Sequence, residues 1–327
     1  MFTLIINPIA GRARRDGNAR RVELARAALA SCGEAVSIAV SERRGHVREL
    51  AQDALRAGSR FVMVWGGDGT VNEAGSVLMG TAVPLAIIPA GSGNGLAREL
   101  GVPLEPSAAI ASALRATPRA IDAGELNGRP FFNIAGVGFD AHIASRFDRA
   151  KRRGLVTYVR VSARELLTYR SMTYRIDCGC GPSDAERVAP HPGDPERVAL
   201  QAGPGRPTLS GAALGAFSQK ALLVTIANSR QFGNGATIAP FARIDDGRLD
   251  LVMYEEASRF ATMCALPRLF TGGIERVRGV TMRQIDRARI ESDVPMTVHV
   301  DGEPAGGGTS LEIRVLPKAL NVLATTS

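Results

Sequence analysis

FVMVWGGDGTVNE, from Phe61 to Glu73, packs an apolar run, two glycines, an aspartate, another glycine and a threonine into one short stretch. An apolar run bounded by turn residues reads as a buried strand, Arg60 to Trp65. Val71 to Met79 then has helical spacing, with Thr70 as its N-cap and Gly80 at its stop. Strand, glycine turn and helix start together form an anion-binding geometry. Glycine lets backbone N–H groups approach phosphate oxygens, and the helix N-terminus adds partial positive charge. Asp68 complicates this, because a carboxylate there repels phosphate unless a divalent cation or a donor hydroxyl lies between them. That favours phosphoryl transfer over simple nucleotide binding; the other reading is an ordinary βα turn in which Gly-Asp-Gly only reverses the chain.

Working outward, similar patterns recur. Phe2 to Ile6 reads as a strand running into Asn7-Pro8-Ile9-Ala10-Gly11 and the arginines Arg12, Arg14 and Arg15. Arg20 to Cys32 and His46 to Ala57 read as helices closed by Gly33 and Gly58, with a strand from Ala35 to Val40 between them. Val83 to Pro89 is a further strand, followed by Ala90-Gly91-Ser92-Gly93-Asn94-Gly95 and a helix from Leu96 to Leu100. Alternation up to about residue 120 predicts a doubly wound α/β domain. Three glycine turns would then line the strand C-termini, where such sheets bind ligands.

Beyond residue 120 the pattern changes. AIDAGEL and PFFNIAG flank Asn127-Gly128, a strong hairpin signal. Gly136 to Asp140, GVGFD, is a glycine turn ending in an acid, followed by Arg146, Arg149, Lys151, Arg152 and Arg153. Leu155 to Tyr169 is helical in pattern. From Ser171 strands dominate, with one helix from Arg259 to Phe270, so this half reads as an antiparallel sheet or sandwich. Residues 180–218, rich in Gly, Pro, Ala and Asp, read as a long insertion.

The bulk properties agree. The 327 residues, 45% hydrophobic, suit two globular domains. A net charge of +8, carried almost wholly by arginine, suits anionic partners: nucleotides, acidic lipid surfaces or nucleic acid. The first residues, MFTLIINPIAGRARR, place the apolar part before the charges, the reverse of a signal peptide, and no apolar run is long enough to span a bilayer. Cys32, Cys178, Cys180 and Cys264 have no zinc spacing and read as reduced packing residues. A cytoplasmic protein, at most peripheral to the inner face of the membrane, is expected.

Taken jointly, the motifs resemble the diacylglycerol kinase catalytic-domain superfamily, which includes bacterial lipid kinases and the sphingosine and ceramide kinases. The matching residues are Asn7-Pro8 with Gly11, GGDGTVNE (66–73), PAGSGNGLA (89–97), NIAGVGFDA (133–141), FGNGATIAPFARIDDGRLDL (232–251) and VDGE (300–303). The resemblance implies a phosphofructokinase- or NAD-kinase-like α/β domain at 1–120 and a lipid-binding β-sandwich at 121–319. It also implies a return of 320–327 to the first domain, and ATP with Mg2+ in the cleft. Nucleotide contacts are implied from Asn7, Pro8, Gly11, Ser41, Gly66, Gly67, Asp68, Gly69, Thr70, Asn72, Glu73, Ser92 and Asn94.

Glu303 follows a strand, Met296 to Val300, and the resemblance gives it the general-base role, with Asp68 orienting magnesium or the attacking hydroxyl. Asp140 would coordinate magnesium or grip the lipid headgroup, unless it is only a helix N-cap. Asp246, with carbonyls near Arg243 and Arg248, resembles a structural magnesium turn; an ordinary type I turn is the alternative. Gly93-Asn94-Gly95 lacks the aspartate usual in bacterial diacylglycerol kinases and is closer to the sphingosine and ceramide kinase form. The expected partners are a lipid substrate, an anionic membrane surface and a second copy of the chain, with no nucleic acid. The competing functions are NAD-kinase-like phosphorylation of a soluble hydroxyl and a non-catalytic nucleotide- and lipid-binding regulator.

Overall fold

A computed structural model describes residues 1–11, 17–30, 32–148, 155–178 and 216–324. Arg12, Arg14 and Arg15, the basic residues from Arg149 to Arg153, and the expected insertion as far as residue 215 lie outside the described residues.

The first half alternates as its sequence predicts: β1 (Phe2–Ile6), α1 (Gly17–Leu29), β2 (Val36–Val40), α2 (His46–Arg56), β3 (Val62–Gly66), α3 (Asp68–Leu78), β4 (Leu85–Pro89), α4 (Gly95–Glu99) and α5 (Pro106–Arg115). The four strands are parallel in the order β2-β1-β3-β4, so the chain reverses its lateral direction at β1. Asn7, Ser41, Gly67 and Ala90 therefore follow the strand C-termini along one edge, at a topological switch point. Continuous apolar runs in β1, β3 and β4 fit strands covered on both faces, and every residue of the three is buried. Side chains alternate between the faces. Ile5, Val62, Val64, Leu85 and Ile87 pack with residues of α2 and α3, whereas Leu4, Ile6, Met63, Trp65 and Ile88 pack with residues of α1 and α5.

Helix α3 begins earlier than the sequence suggests. Gly67, in extended conformation, precedes a first turn that already contains Asp68 and Thr70. Thr70 is thus not the N-cap; its Oγ1 accepts a 2.8 Å bond from Asn7 Nδ2 instead.

The second half opens with the predicted hairpin, β5 (Pro118–Leu126) to β6 (Arg129–Phe131), turning on Asn127 and Gly128 with φ of 47° and 76°. PFFNIAG does not form one strand. It breaks after β6 because the N–H groups of Phe132, Asn133 and Ile134 all donate to the carboxylate of Asp301, and β7 (Ile134–Gly138) resumes beyond the break. The chain continues through α6 (Phe139–Asp148), α7 (Leu155–Leu166), β8 (Met172–Asp177), β9 (Phe217–Ala227), β10 (Gln231–Gly233), β11 (Ala236–Thr237) and β12 (Leu249–Glu255). The single helix expected at 259–270 is two, α8 (Arg259–Ala265) and α9 (Arg268–Thr271), interrupted at Pro267, whose missing N–H cannot continue the ladder. Then come β13 (Val280–Ile285), β14 (Arg287–Glu291), β15 (Thr297–Val300), β16 (Glu303–Gly306) and β17 (Ser310–Leu323).

These strands form an antiparallel β-sandwich around Val137, Tyr174, Ile176, Ile226, Leu251, Ile290 and Val298. Strand β17 links the halves. Its start pairs with β14, its length with β5, and near its end Val322 pairs in parallel with Leu85 of β4.

Candidate active site

The GGDGT turn and the turn after β4 lie against each other. A Cβ on Gly91 would come within 2.8 Å of Gly67 Cα, so only glycines allow this approach. Asp68 staples the two turns: its Oδ2 accepts the Asn94 N–H at 2.9 Å and its Oδ1 the Gly95 N–H at 2.7 Å. Half-buried and short of solvent, its carboxyl is pushed up to about 6, chiefly by burial and secondarily by the charge of Asp301, against the pull of those two N–H donors. Val71 is the first residue of α3 whose N–H bonds back along the helix, to Gly67 O. The N–H groups of Gly69 and Thr70 therefore have no intrahelical acceptor and suit an anion.

Asn7 and Pro8 lie beside this turn. Asn7 bonds Thr70 through Nδ2 and accepts the Ile9 N–H through Oδ1, which fixes the loop after β1. Arg21, reaching from α1, donates to the carbonyls of Asn7 and Ala10, and burial lowers the pKa of its guanidinium. Gly11 sits where a Cβ would strike the Ala90 carbonyl. Ser41 is buried at the end of β2, its N–H bonded to Ile6 O. Asn94 is turned inward: its amide bonds both the N–H and the C=O of Gly91, leaving Ser92 as the exposed residue of that turn.

Glu303, which opens β16, reaches this turn from the other half of the chain. A Cβ on Gly69 would lie 2.9 Å from Glu303 Oε1, so the carboxylate rests directly over the glycine turn. Its other oxygen pairs with Arg44, from the loop between β2 and α2. Glu73 holds that loop by accepting the Gly45 N–H at 3.2 Å. Asn72, one residue earlier, donates to Pro130 O and to Asp301 Oδ2 at 2.8 Å.

Asp301 is the hub that sequence reasoning missed. Almost buried and in left-handed conformation (φ 47°), it gathers Asn72 and the N–H groups of Phe132, Asn133 and Ile134. It thereby sets β7, α3 and the Glu303 turn in register, and burial raises its pKa against the pull of these donors. Its signal was present in VDGE, where Glu303 drew the attention. Arg44 had none, standing in a charged run with no period.

Glycines of the third motif serve the contact between the halves. A Cβ on Gly93 would meet Asp68 Oδ2, one on Gly233 would meet Gly93, and one on Gly95 would meet the Asn133 amide. Arg230 reinforces the joint by pairing with Glu99 of α4 at 3.0 Å.

Asp140 lies deeper in the second half. It opens α6, accepts from Thr225 Oγ1 at 3.0 Å, and has His299 Nε2 at 3.4 Å. His299 Nδ1 accepts the Gly302 N–H, which leaves the proton on Nε2, facing Asp140. Asp140 is thus brought to His299 of β15, four residues before Glu303, and not to Asp68. Asp246 stands apart from the cleft: its Oδ1 accepts the Arg248 N–H and its Oδ2 a bond from Gln284, while Arg243 faces Asp245. The adjoining Gly247 N–H goes to buried Asp122 at 2.6 Å. Among the described residues no group of three or more His, Cys, Asp or Glu side chains gathers as a metal cage, and no helix is long and apolar enough to cross a membrane.

Residues 1–126 match the diacylglycerol kinase catalytic domain, and residues 133–324 match the YegS C-terminal NAD kinase beta sandwich-like domain. The chain is 31% identical over 314 residues to a Pseudomonas aeruginosa protein named "Probable lipid kinase YegS-like", covering 94% of this chain and 91% of that one. It is 31% identical over 283 residues to a protein of Mycobacterium tuberculosis named diacylglycerol kinase, covering 84% and 80% of the two chains. A crystal structure of a diacylglycerol kinase from Bacillus anthracis shares the fold, with a TM-score of 0.68 at 20% identity over 99% of this chain and 96% of that one. With both halves of the chain matched and a glycine turn of one half touched by an acid of the other, the chain belongs to the diacylglycerol kinase catalytic-domain superfamily.

Proposed function

We propose that the chain is an ATP-dependent lipid kinase, which transfers the γ-phosphate of ATP to a hydroxyl of a diacylglycerol, sphingoid or related lipid. The observation that carries this reading is the Glu303 carboxylate resting on Gly69, an acid from one half over an anion-binding turn from the other. Phosphoryl transfer needs little covalent help from the protein, so positioning and charge neutralisation dominate. The N–H groups at the start of α3, with Thr70, Asn7 and Ser92, hold the phosphates. Glu303 takes the proton of the acceptor hydroxyl as its oxygen bonds the γ-phosphorus and the bond to the β–γ bridging oxygen breaks, releasing ADP. Glu303 acts late, since an ordinary glutamate is a weak base toward an alcohol.

The donor set fits magnesium in the mode where nucleotide phosphates supply most ligands and a carboxylate such as Asp68 adds one, each of its oxygens keeping a lone pair beyond the N–H it accepts. Magnesium would supply neutralisation of phosphate charge. The turn of Asp246 with the carbonyls of Arg243 and Arg248 is kept as a second, structural candidate. In this assignment residues 1–120 carry the nucleotide and 121–319 the lipid, with Asp140 and His299 facing the headgroup, and 320–324 complete the first sheet.

Transfer of labelled phosphate from ATP to a panel of diacylglycerol, sphingoid bases, ceramide and undecaprenol tests this, with Asp68→Asn as control. A labelled lipid that disappears with the control supports the reading; no labelled lipid, or a control as active as the parent, defeats it.

A further inference from the structure

Helices α8 and α9, inserted between β12 and β13, turn their amphipathic character inside out. In α8 the buried residues are Thr262 and Ala265, and Thr262 accepts a bond from the Tyr254 hydroxyl. Phe260 is 79% exposed and Met263, one turn on along the same face, 42%. Phe270 of α9 is 40% exposed. A phenylalanine left almost wholly in water while a threonine is taken inside marks a surface made to be covered.

What would cover it is set by charge. Residues 257–279 contain four arginines, Arg259, Arg268, Arg276 and Arg278, all exposed, and one acid, Glu275, which pairs with Arg276. Among the described residues Arg259, Arg268 and Arg278 have no carboxylate partner. Exposed apolar side chains interspersed with exposed arginines along one short segment are the chemistry of the boundary between acyl chains and anionic headgroups. The inner side of this segment packs toward the helix that Asp140 opens. Leu269 and Ile274 pack on the same apolar cluster as Phe139 and Ile143 of that helix, α6.

We infer that α8 and α9 form the membrane-docking surface, inserting Phe260, Met263 and Phe270 into an anionic phospholipid leaflet while the arginines engage its headgroups. The choice of a bilayer as partner rests on the lipid-kinase reading, because such an acceptor resides in one.

The test is co-sedimentation of the full chain with vesicles of phosphatidylcholine alone and of phosphatidylcholine mixed with phosphatidylglycerol, at low and high salt. The parent should sediment with the mixed vesicles, less so at high salt, and hardly with the neutral ones. Phe260→Ser with Phe270→Ser, and separately Arg259→Glu with Arg268→Glu, should each lower partition by roughly tenfold or more. Because all four side chains are exposed, the circular dichroism and Tm of both variants should match the parent's, as should turnover on a short-chain acceptor dissolved in water. Parental sedimentation of both variants, or no sedimentation of the parent with anionic vesicles, overturns the inference. So does a parental dimer that the phenylalanine changes dissociate, since the surface would then belong to a second copy. If docking behaves as expected but no lipid is phosphorylated, the surface stands and the lipid-kinase reading fails.

Discussion

Replacing Asp68 by asparagine separates structure from chemistry at the centre of the site. Burial lifts this carboxyl from its ordinary 3.8 to about 6, so keeping it ionised near neutral pH costs the fold roughly 3 kcal/mol, at about 1.4 kcal/mol per unit. That net value already includes the opposing pull of the N–H groups of Asn94 and Gly95 on its two oxygens. Hydrogen bonds to a charged acceptor contribute about 1.5–3 kcal/mol each, and asparagine can keep only one, its NH2 facing the other N–H. The losses and the relief largely offset, so Asp68→Asn should shift the unfolding free energy near pH 7 by no more than about 2 kcal/mol.

The pH dependence is more telling. The folded pKa lies above the unfolded one, so the stability this group contributes is fully present below 3.8 and is lost as pH rises through about 6. Denaturant unfolding between about pH 4 and 7 should therefore show the parent gaining on the variant as pH falls. Turnover should run oppositely: the parent's kcat/KM drops as pH falls through about 6, and the variant is slower at every pH, by at least ~100-fold near neutrality. Parallel stability curves would refute the burial argument, and parental turnover in the variant would refute the need for the charge.

Three further outcomes follow from the geometry. Glu303→Gln should lower turnover by roughly 10²–10⁴-fold with little change in calorimetric ATP affinity; weakened ATP binding as its main effect would contradict the base assignment. Arg44→Ala removes a surface pair and should leave Tm unchanged while weakening nucleotide binding by about tenfold, because Arg44 pairs with the carboxylate that rests over the phosphate turn and adds positive charge there. Asp301→Ala strands the amide of Asn72 and three backbone N–H groups and should cost roughly 2–5 kcal/mol in chemical denaturation.

Much of this was legible in the chain because it rests on local chemistry. The apolar runs of β1, β3 and β4 and the glycines after them place the binding edge, and Asn127-Gly128 fixes its hairpin. What escaped depends on pairs distant in sequence. Asp68 reads as an acid serving only the cleft, yet each of its oxygens also accepts a backbone N–H, from Asn94 and Gly95. Gly93 and Gly95 read as part of a glycine turn lining the ligand-binding edge, yet they also make room for Gly233 and Asn133. Thr70 reads as a cap because its hydroxyl precedes a helical period, and only the approach of Asn7 shows why it is not one. Residues 257–279 gave no motif at all, since exposure is a property of packing.

Strand β17 has a consequence for how the protein is made. Its pairing with Leu85 closes the flank of β4, so the sheet that carries the phosphate turn keeps that flank open until Ser310–Leu323 has been made. A nascent chain stalled between Gly95 and Ser310 holds every residue of those three glycine turns and still has an unpaired, aggregation-prone border. Competence arrives only once β17 has docked, and a cleavage within this strand is a more damaging lesion than its distance from the catalytic groups suggests.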